Sequence, residues 1–99
     1  MVERIESLEQ KFGIEIRAVA NYEYSDDEYT VMVLMDILGD ELERNLMITI
    51  NIYDELGELI DTDYQIIIAE HFVGIKTTKD TFFITGRVPV KVLIYVQPK

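Results

Sequence analysis

The chain contains no cysteine, which excludes a disulfide framework, a thiolate metal site and a cysteine nucleophile, so its stability must come from packing. Material for nucleophilic catalysis is equally thin. There is one histidine, His71, and there are two serines, Ser7 and Ser25, so a Ser-His-acid triad would have to join His71 to a serine in the N-terminal segment or in a hairpin turn. A histidine-based zinc site would need carboxylates for every other ligand. His71, followed by Phe72, reads more simply as a loop residue capping the end of a strand. No apolar run approaches the length of a membrane span. The opening residues, Met1 to Glu6, are broken by charges every two or three positions and do not form the apolar core of a signal peptide. As it stands the chain reads as cytoplasmic, or as extracytoplasmic where a leader has been removed. Basic residues are scarce as well: nine against nineteen acids give a net charge of -10. Such a charge repels phosphate backbones and anionic lipid surfaces, so neither nucleic acid nor membrane is an expected partner.

What is present suits a folded domain. Its 99 residues suffice for one domain spanning 1-99, and an apolar fraction of 48% beside 28% charged residues lies far from the composition of disorder. The charge is uneven along the chain. Residues 1 to 70 hold eighteen acids and four bases, whereas residues 71 to 99 hold one acid, Asp80, and five bases, Lys76, Lys79, Arg87, Lys91 and Lys99. This pattern places basic C-terminal strands beside acidic ones, or else builds a separate basic face.

Hydrophobic periodicity changes once. Val2, Ile5, Leu8 and Phe12 recur at helical spacing, predicting an amphipathic helix over 1-12 that stops at Gly13. Its apolar stripe needs a surface to cover, in this domain or on a partner. From Ile14 the period is two, and a β region over 14-97 follows. Ile14 to Tyr24 and Tyr29 to Ile37 read as a hairpin around the polar turn Ser25 to Glu28, Leu46 to Tyr53 as a third strand, and Leu59 to Ile68 as a fourth. Ala69 to Lys79 reads as the longest irregular connection, followed by strands Thr81 to Thr85 and Val88 to Val96. Pro89 predicts an edge position or a bulge. The expected fold is mainly β, an antiparallel two-sheet sandwich of six to seven strands with a short N-terminal helix.

The segment Ile50-Asn51-Ile52-Tyr53-Asp54-Glu55-Leu56-Gly57-Glu58-Leu59-Ile60 resembles the strand, Tyr-Asp, Gly and strand hairpin of the FxLYD-type domains. The connection bearing Gly74 that leads into Phe82-Phe83-Ile84 is similar to a later part of the same family. The resemblance covers about Leu46 to Ile84. It departs from the family in lacking a Gly-x-Val-x-Asn opening around Val19 to Tyr24. It implies an immunoglobulin-like or fibronectin-III-like sandwich with a general binding or spacer role, and it carries no catalytic residues across.

Several features could carry function. Loops of sandwich domains can gather carboxylates around calcium, and the candidates are Asp26, Asp27 and Glu28 in one loop, Asp40 and Glu41 in another, and Asp54, Glu55, Asp61 and Asp63 around a third. None follows the EF-hand order. Asp36, flanked by Leu34-Met35 and Ile37-Leu38, is either a buried acid or a marker of the solvent face of an edge strand or of a bulge. Tyr22, Tyr24 and Tyr29 cluster about the first hairpin and could form an aromatic patch for a protein or glycan, or simply pack across strands. No cofactor is expected. The leading expectation is a noncatalytic interaction module that contacts another protein or a second copy of itself. The alternatives are a calcium- or glycan-binding sandwich and an acidic inhibitor or immunity-like protein that binds a basic partner.

Overall fold

A computed structural model describes all residues from Met1 to Lys99. The elements are β1 (Val2–Arg4), α1 (Glu6–Lys11), β2 (Ile14–Ser25), β3 (Glu28–Gly39), β4 (Leu46–Asp54), β5 (Leu59–Ile67), β6 (Ile75–Thr85) and β7 (Pro89–Pro98), with a single 3-10 turn at Ala69–His71. They form two sheets in the orders β1-β7-β4-β5 and β2-β3-β6. The expected antiparallel sandwich is present with seven strands, and its only parallel pair is β1 with β7.

The period-two pattern explains why these residues become strands: alternate side chains fall on one face, and that face is apolar. Ile48, Ile50 and Ile52 of β4, Val92, Ile94 and Val96 of β7, and Val31, Val33, Met35 and Ile37 of β3 are all fully buried between the sheets. β-Branched residues dominate this layer because their branched side chains pack well on a pleated surface. The β2–β3 turn places Asp26 and Asp27 both at positive φ, 52° and 62°, the geometry of a two-residue type I′ hairpin.

Two expectations need correction. The N-terminal helix does not span 1-12. Val2–Arg4 is a strand paired with Val92–Ile94, and the helix has six residues, because a segment of three residues is too short for its periodicity to separate strand from helix and tertiary pairing decided between them. The connection read as irregular from Ala69 to Lys79 is irregular only as far as Gly74 and is strand from Ile75 onward. β6 begins at Ile75 and pairs with β3 along its whole length; its inward residues Lys76, Thr78 and Asp80 are as polar as the outward Thr77 and Lys79, so no hydrophobic alternation marks its start. Pro89 lies where an edge or a bulge was expected, since β1 pairs with β7 only over Val92–Ile94 and leaves Pro89 uncovered on that side. It also sits at a bulge: β4 shifts register on β7 between Tyr53 and Asp54, which leaves Val90 unpaired.

The two long sides of the sandwich are closed differently. Between β1 and β2, helix α1 fills the gap, and the buried Glu9 Oε1 accepts the Ile16 N–H at 3.0 Å and lies 3.7 Å from Arg4. Arg4 also donates to the Ile16 carbonyl. Between β5 and β6 the inward residues are polar: Asp61, Asp63 and Gln65 share the β4-facing register of Ile52, Ile50 and Ile48, opposite Thr78 and Asp80 of β6.

Candidate functional site

The residues expected from sequence scatter over the molecule. The stripe of Val2, Ile5, Leu8 and Phe12 is not a free docking surface. Val2, Leu8 and Phe12 pack against the core of their own domain, and Ile5 is half-buried beside them. Of the three hairpin tyrosines, Tyr22 and Tyr29 also lean on the core, and only Tyr24 is exposed, its ring 4.5 Å from that of Tyr29 and its hydroxyl donating to Asp27 at 3.1 Å. The Tyr22 hydroxyl is buried without a partner, and burial raises its pKa. These tyrosines therefore pack across strands rather than forming one patch. Ser25 lies at the end of the sandwich that holds the β2–β3 turn, and His71 follows β5 at the opposite end, so the pair is not assembled for a triad. Asp36 lies on the outer face of β3, as a solvent-face residue, but β3 is the central strand of its sheet and not an edge, and Asp36 accepts a 2.7 Å hydrogen bond from Thr77 of the neighbouring strand.

The carboxylates divide in the same way. Asp26 and Asp27 are the turn residues described above. Asp40 and Glu41 are exposed at the other end of the sandwich. Asp54 is only 1% exposed and is committed to its own turn: its Oδ1 accepts the N–H groups of Leu56 and Glu58 at 2.9 Å each. Its Oδ2 accepts from Arg87 at 2.5 Å, and Arg87 also reaches Glu58 at 2.6 Å. Burial works to raise the Asp54 carboxyl, but the Glu58 N–H, Arg87 and the Leu56 N–H outweigh it and hold the group below the usual carboxylate range. Gly57, at φ 81°, gives this turn its left-handed step. No three His, Cys, Asp or Glu side chains come together in a group that could hold a metal ion.

Asp63 does meet a partner, though one that sequence reading had not connected to it. Asp80, 5% exposed, accepts from Gln65 Nε2 at 2.9 Å and lies within hydrogen-bonding reach of Asp63. Burial, and then the neighbouring Asp63, raise the Asp80 carboxyl above its ordinary range, while the Gln65 bond opposes them. Its Oδ2 and the nearby Thr78 hydroxyl have no partner. Two carboxylates in contact can share one proton, and none of the five principal hollows of the surface is lined by Asp63, Gln65, Thr78 or Asp80. The most enclosed hollow, lined by residues 10–13, 41–44 and Leu46, has a volume near 230 Å³, below the range of small-molecule sites.

One surface stands apart. The outward residues of the four-stranded sheet are Glu3; Lys91, Leu93, Tyr95 and Gln97; Met47, Thr49, Asn51 and Tyr53; and Leu59, Thr62, Tyr64 and Ile66. In a chain of net charge -10 this face carries one acid and one base, and they neutralise each other: Lys91 Nζ lies 3.8 Å from Glu3 and 4.8 Å from the centre of the Tyr53 ring. Thr49, flanked by its cross-strand neighbours Tyr95 and Tyr64, is buried beneath them although it points outward. The polar side chains satisfy one another, since Thr62 Oγ1 donates to Asn51 Oδ1 at 2.6 Å and Asn51 Nδ2 donates to the Tyr53 hydroxyl at 3.3 Å. The outer face of the other sheet is different, carrying Glu15, Arg17, Glu23, Asp36 and Lys79 among its apolar residues. Sequence reading missed the neutral face because its residues come from four separate segments. The signal available was the alternate set of each strand, Met47-Thr49-Asn51-Tyr53 above all, which is neither charged nor strongly apolar.

The chain matches no protein-family model, no curated protein and no solved structure.

Proposed function

We propose that this domain is a noncatalytic protein-interaction or structural module, a sandwich that presents the outer face of its four-stranded sheet to another protein chain. The observation that carries this reading is the neutrality of that face within a strongly acidic molecule, combined with its content of three tyrosines, Leu93, Met47 and Ile66. Tyrosine and methionine are enriched at protein interfaces and charge is depleted at their centres. Internal pairing of Thr62, Asn51 and Tyr53 lowers the cost of removing water from the polar part of the face. The FxLYD-type reading of the Tyr53 to Leu59 hairpin agrees with a binding or spacer role.

The test is Tyr64→Glu, at a position 59% exposed, which covers Thr49 on the outer face and takes no part in the core between the sheets. The intact chain is expected to form a defined oligomer or to retrieve a partner from native lysate, and the variant to lose that association at an unchanged melting temperature. A strictly monomeric domain that retrieves nothing refutes the proposal.

A second reading, an acidic inhibitor of a basic partner, draws on one observation. The turns at residues 25–28 and 54–58 stand at the same end of the sandwich and bring Asp26, Asp27, Glu28 and Glu55 there. Binding through that end weakens steeply with salt.

A further inference from the structure

We infer that the occupant of the neutral face is a second copy of this chain, packed face to face about a two-fold axis. The inference rests on the interaction-module reading and narrows it to one partner.

Charge selects the partner first. Each copy carries a net charge of -10, so most ways of bringing two copies together oppose carboxylates. The outer face of the β1-β7-β4-β5 sheet is the surface on which this does not happen, because its Glu3 and Lys91 are already paired at 3.8 Å at one margin and its middle is Thr49, Asn51, Leu93, Tyr95, Thr62 and Tyr64. A basic partner would gain little there, since the face holds no unpaired carboxylate. A second copy gains the burial of tyrosine and leucine without an electrostatic penalty at the contact, and a two-fold axis sets the same patch against itself.

Shape and area agree. Two twisted sheets pack face to face with their strands about 30° apart, the geometry already used inside sandwich domains. Strands about 4.8 Å apart and about 3.3 Å long per residue give this face a projected area of roughly 500 Å² in each copy, or about 1,000 Å² for the pair. That is the lower limit for a specific interface, so the dimer is a weak one, with dissociation in the micromolar range. The polar groups at the centre bring their own partners, through the Thr62–Asn51–Tyr53 chain of hydrogen bonds, and need none from the other copy.

Sedimentation equilibrium of the intact chain over a concentration series tests this. The expected result is a monomer–dimer equilibrium that tightens as sodium chloride is raised, because salt screens the repulsion between the acidic remainders while the neutral contact has no ion pairs to lose. Tyr64→Glu and, independently, Thr62→Glu place two new like charges at the contact for each dimer and are expected to weaken it at least tenfold. Both positions are exposed, so one variant remains informative should the other fail to fold. Phe83→Glu, at a 65% exposed position on the outer face of the other sheet, is expected to leave the dimer intact. A chain still monomeric at about 1 mM, a dimer that salt dissociates, or one that Phe83→Glu breaks and Tyr64→Glu spares, overturns the second-copy inference. If the chain is monomeric yet retrieves a protein through Tyr64, the interaction-module reading survives and only its occupant was wrong. If it retrieves nothing, both readings fall.

Discussion

Replacing Asp80 with asparagine is expected to stabilise the domain at neutral pH and to do nothing at pH 3. Asp80 is 5% exposed, in contact with Asp63, with one oxygen bonded to Gln65 and the other unpartnered. The groups facing it are Asp63, Asp61 and Gln65 from β5, Thr78 from its own strand and the apolar Val33 from β3, so no cation offsets its charge; Lys76 is engaged with the Ile66 carbonyl. Burial first, and Asp63 second, raise its pKa in the folded state. A raised folded pKa means stability that is fully present below the unfolded value, near 4, and is lost as pH rises through the folded value. Asparagine keeps the acceptor for Gln65, offers Asp63 a donor in place of a like charge, and does not titrate. An unsatisfied buried polar group costs about 1 to 3 kcal/mol, and the solvent at the rim of the seam argues for the lower half of that range. A gain of about 1 kcal/mol corresponds to about 4 to 8 °C in melting temperature for a domain of this size. Urea unfolding of both proteins from pH 3 to pH 8 measures the difference directly. The expected curve is flat near zero at acid pH and rises through the carboxylate range. Asp63→Asn removes only the second cause and is expected to give a smaller gain with the same pH dependence, and the double substitution little beyond Asp80→Asn. A gain that does not depend on pH, or a loss at pH 7, refutes the account of this seam as an uncompensated carboxylate pair.

Asp54 has the opposite sign. Its folded pKa is lowered, so it contributes stability above its unfolded pKa that is lost as pH falls, and Asp54→Asn or Arg87→Met is expected to lower the melting temperature at pH 7 and to narrow the gap to wild type in acid. At Gly39 an added Cβ would stand 2.7 Å from the carbonyl oxygen of Gly13, a backbone atom that cannot step aside, so Gly39→Ala is expected to cost about 1 to 3 kcal/mol in urea unfolding. Asp26→Asn with Asp27→Gly fits the two positive-φ positions of the first hairpin and is expected to add about 1 kcal/mol. Arg4→Met leaves Glu9 buried without its cation and is expected to cost about 3 kcal/mol, whereas Arg4→Met with Glu9→Leu recovers most of it, as a double-mutant cycle would show.

Much of the fold was legible in the chain because strands report themselves through local alternation. Leu46, Ile48, Ile50 and Ile52 point one way whatever they pair with, and Gly57 and the Ser25 to Glu28 run mark turns through backbone conformations that few other residues adopt. The start of β6 was hidden because its inward residues Lys76, Thr78 and Asp80 are polar as well as its outward ones, and only pairing with β3 makes the segment a strand. Val2 to Arg4 was misread because three residues satisfy a helical and an extended pattern equally, and only β7 could choose between them.

The candidate site divides along the same line. Composition alone determined that thiol chemistry is absent, that the molecule is strongly acidic and that a β-rich core forms, because these depend on residue counts and on neighbours one or two positions away. Only the tertiary structure decided that the helical stripe is consumed inside its own domain, that Asp63 of one sheet meets Asp80 of the other, and that four outward half-strands join into one uncharged face. Those facts concern residues brought together from separate segments across two sheets, and a periodicity of two records which side of a strand is buried without recording what the other side will stand beside.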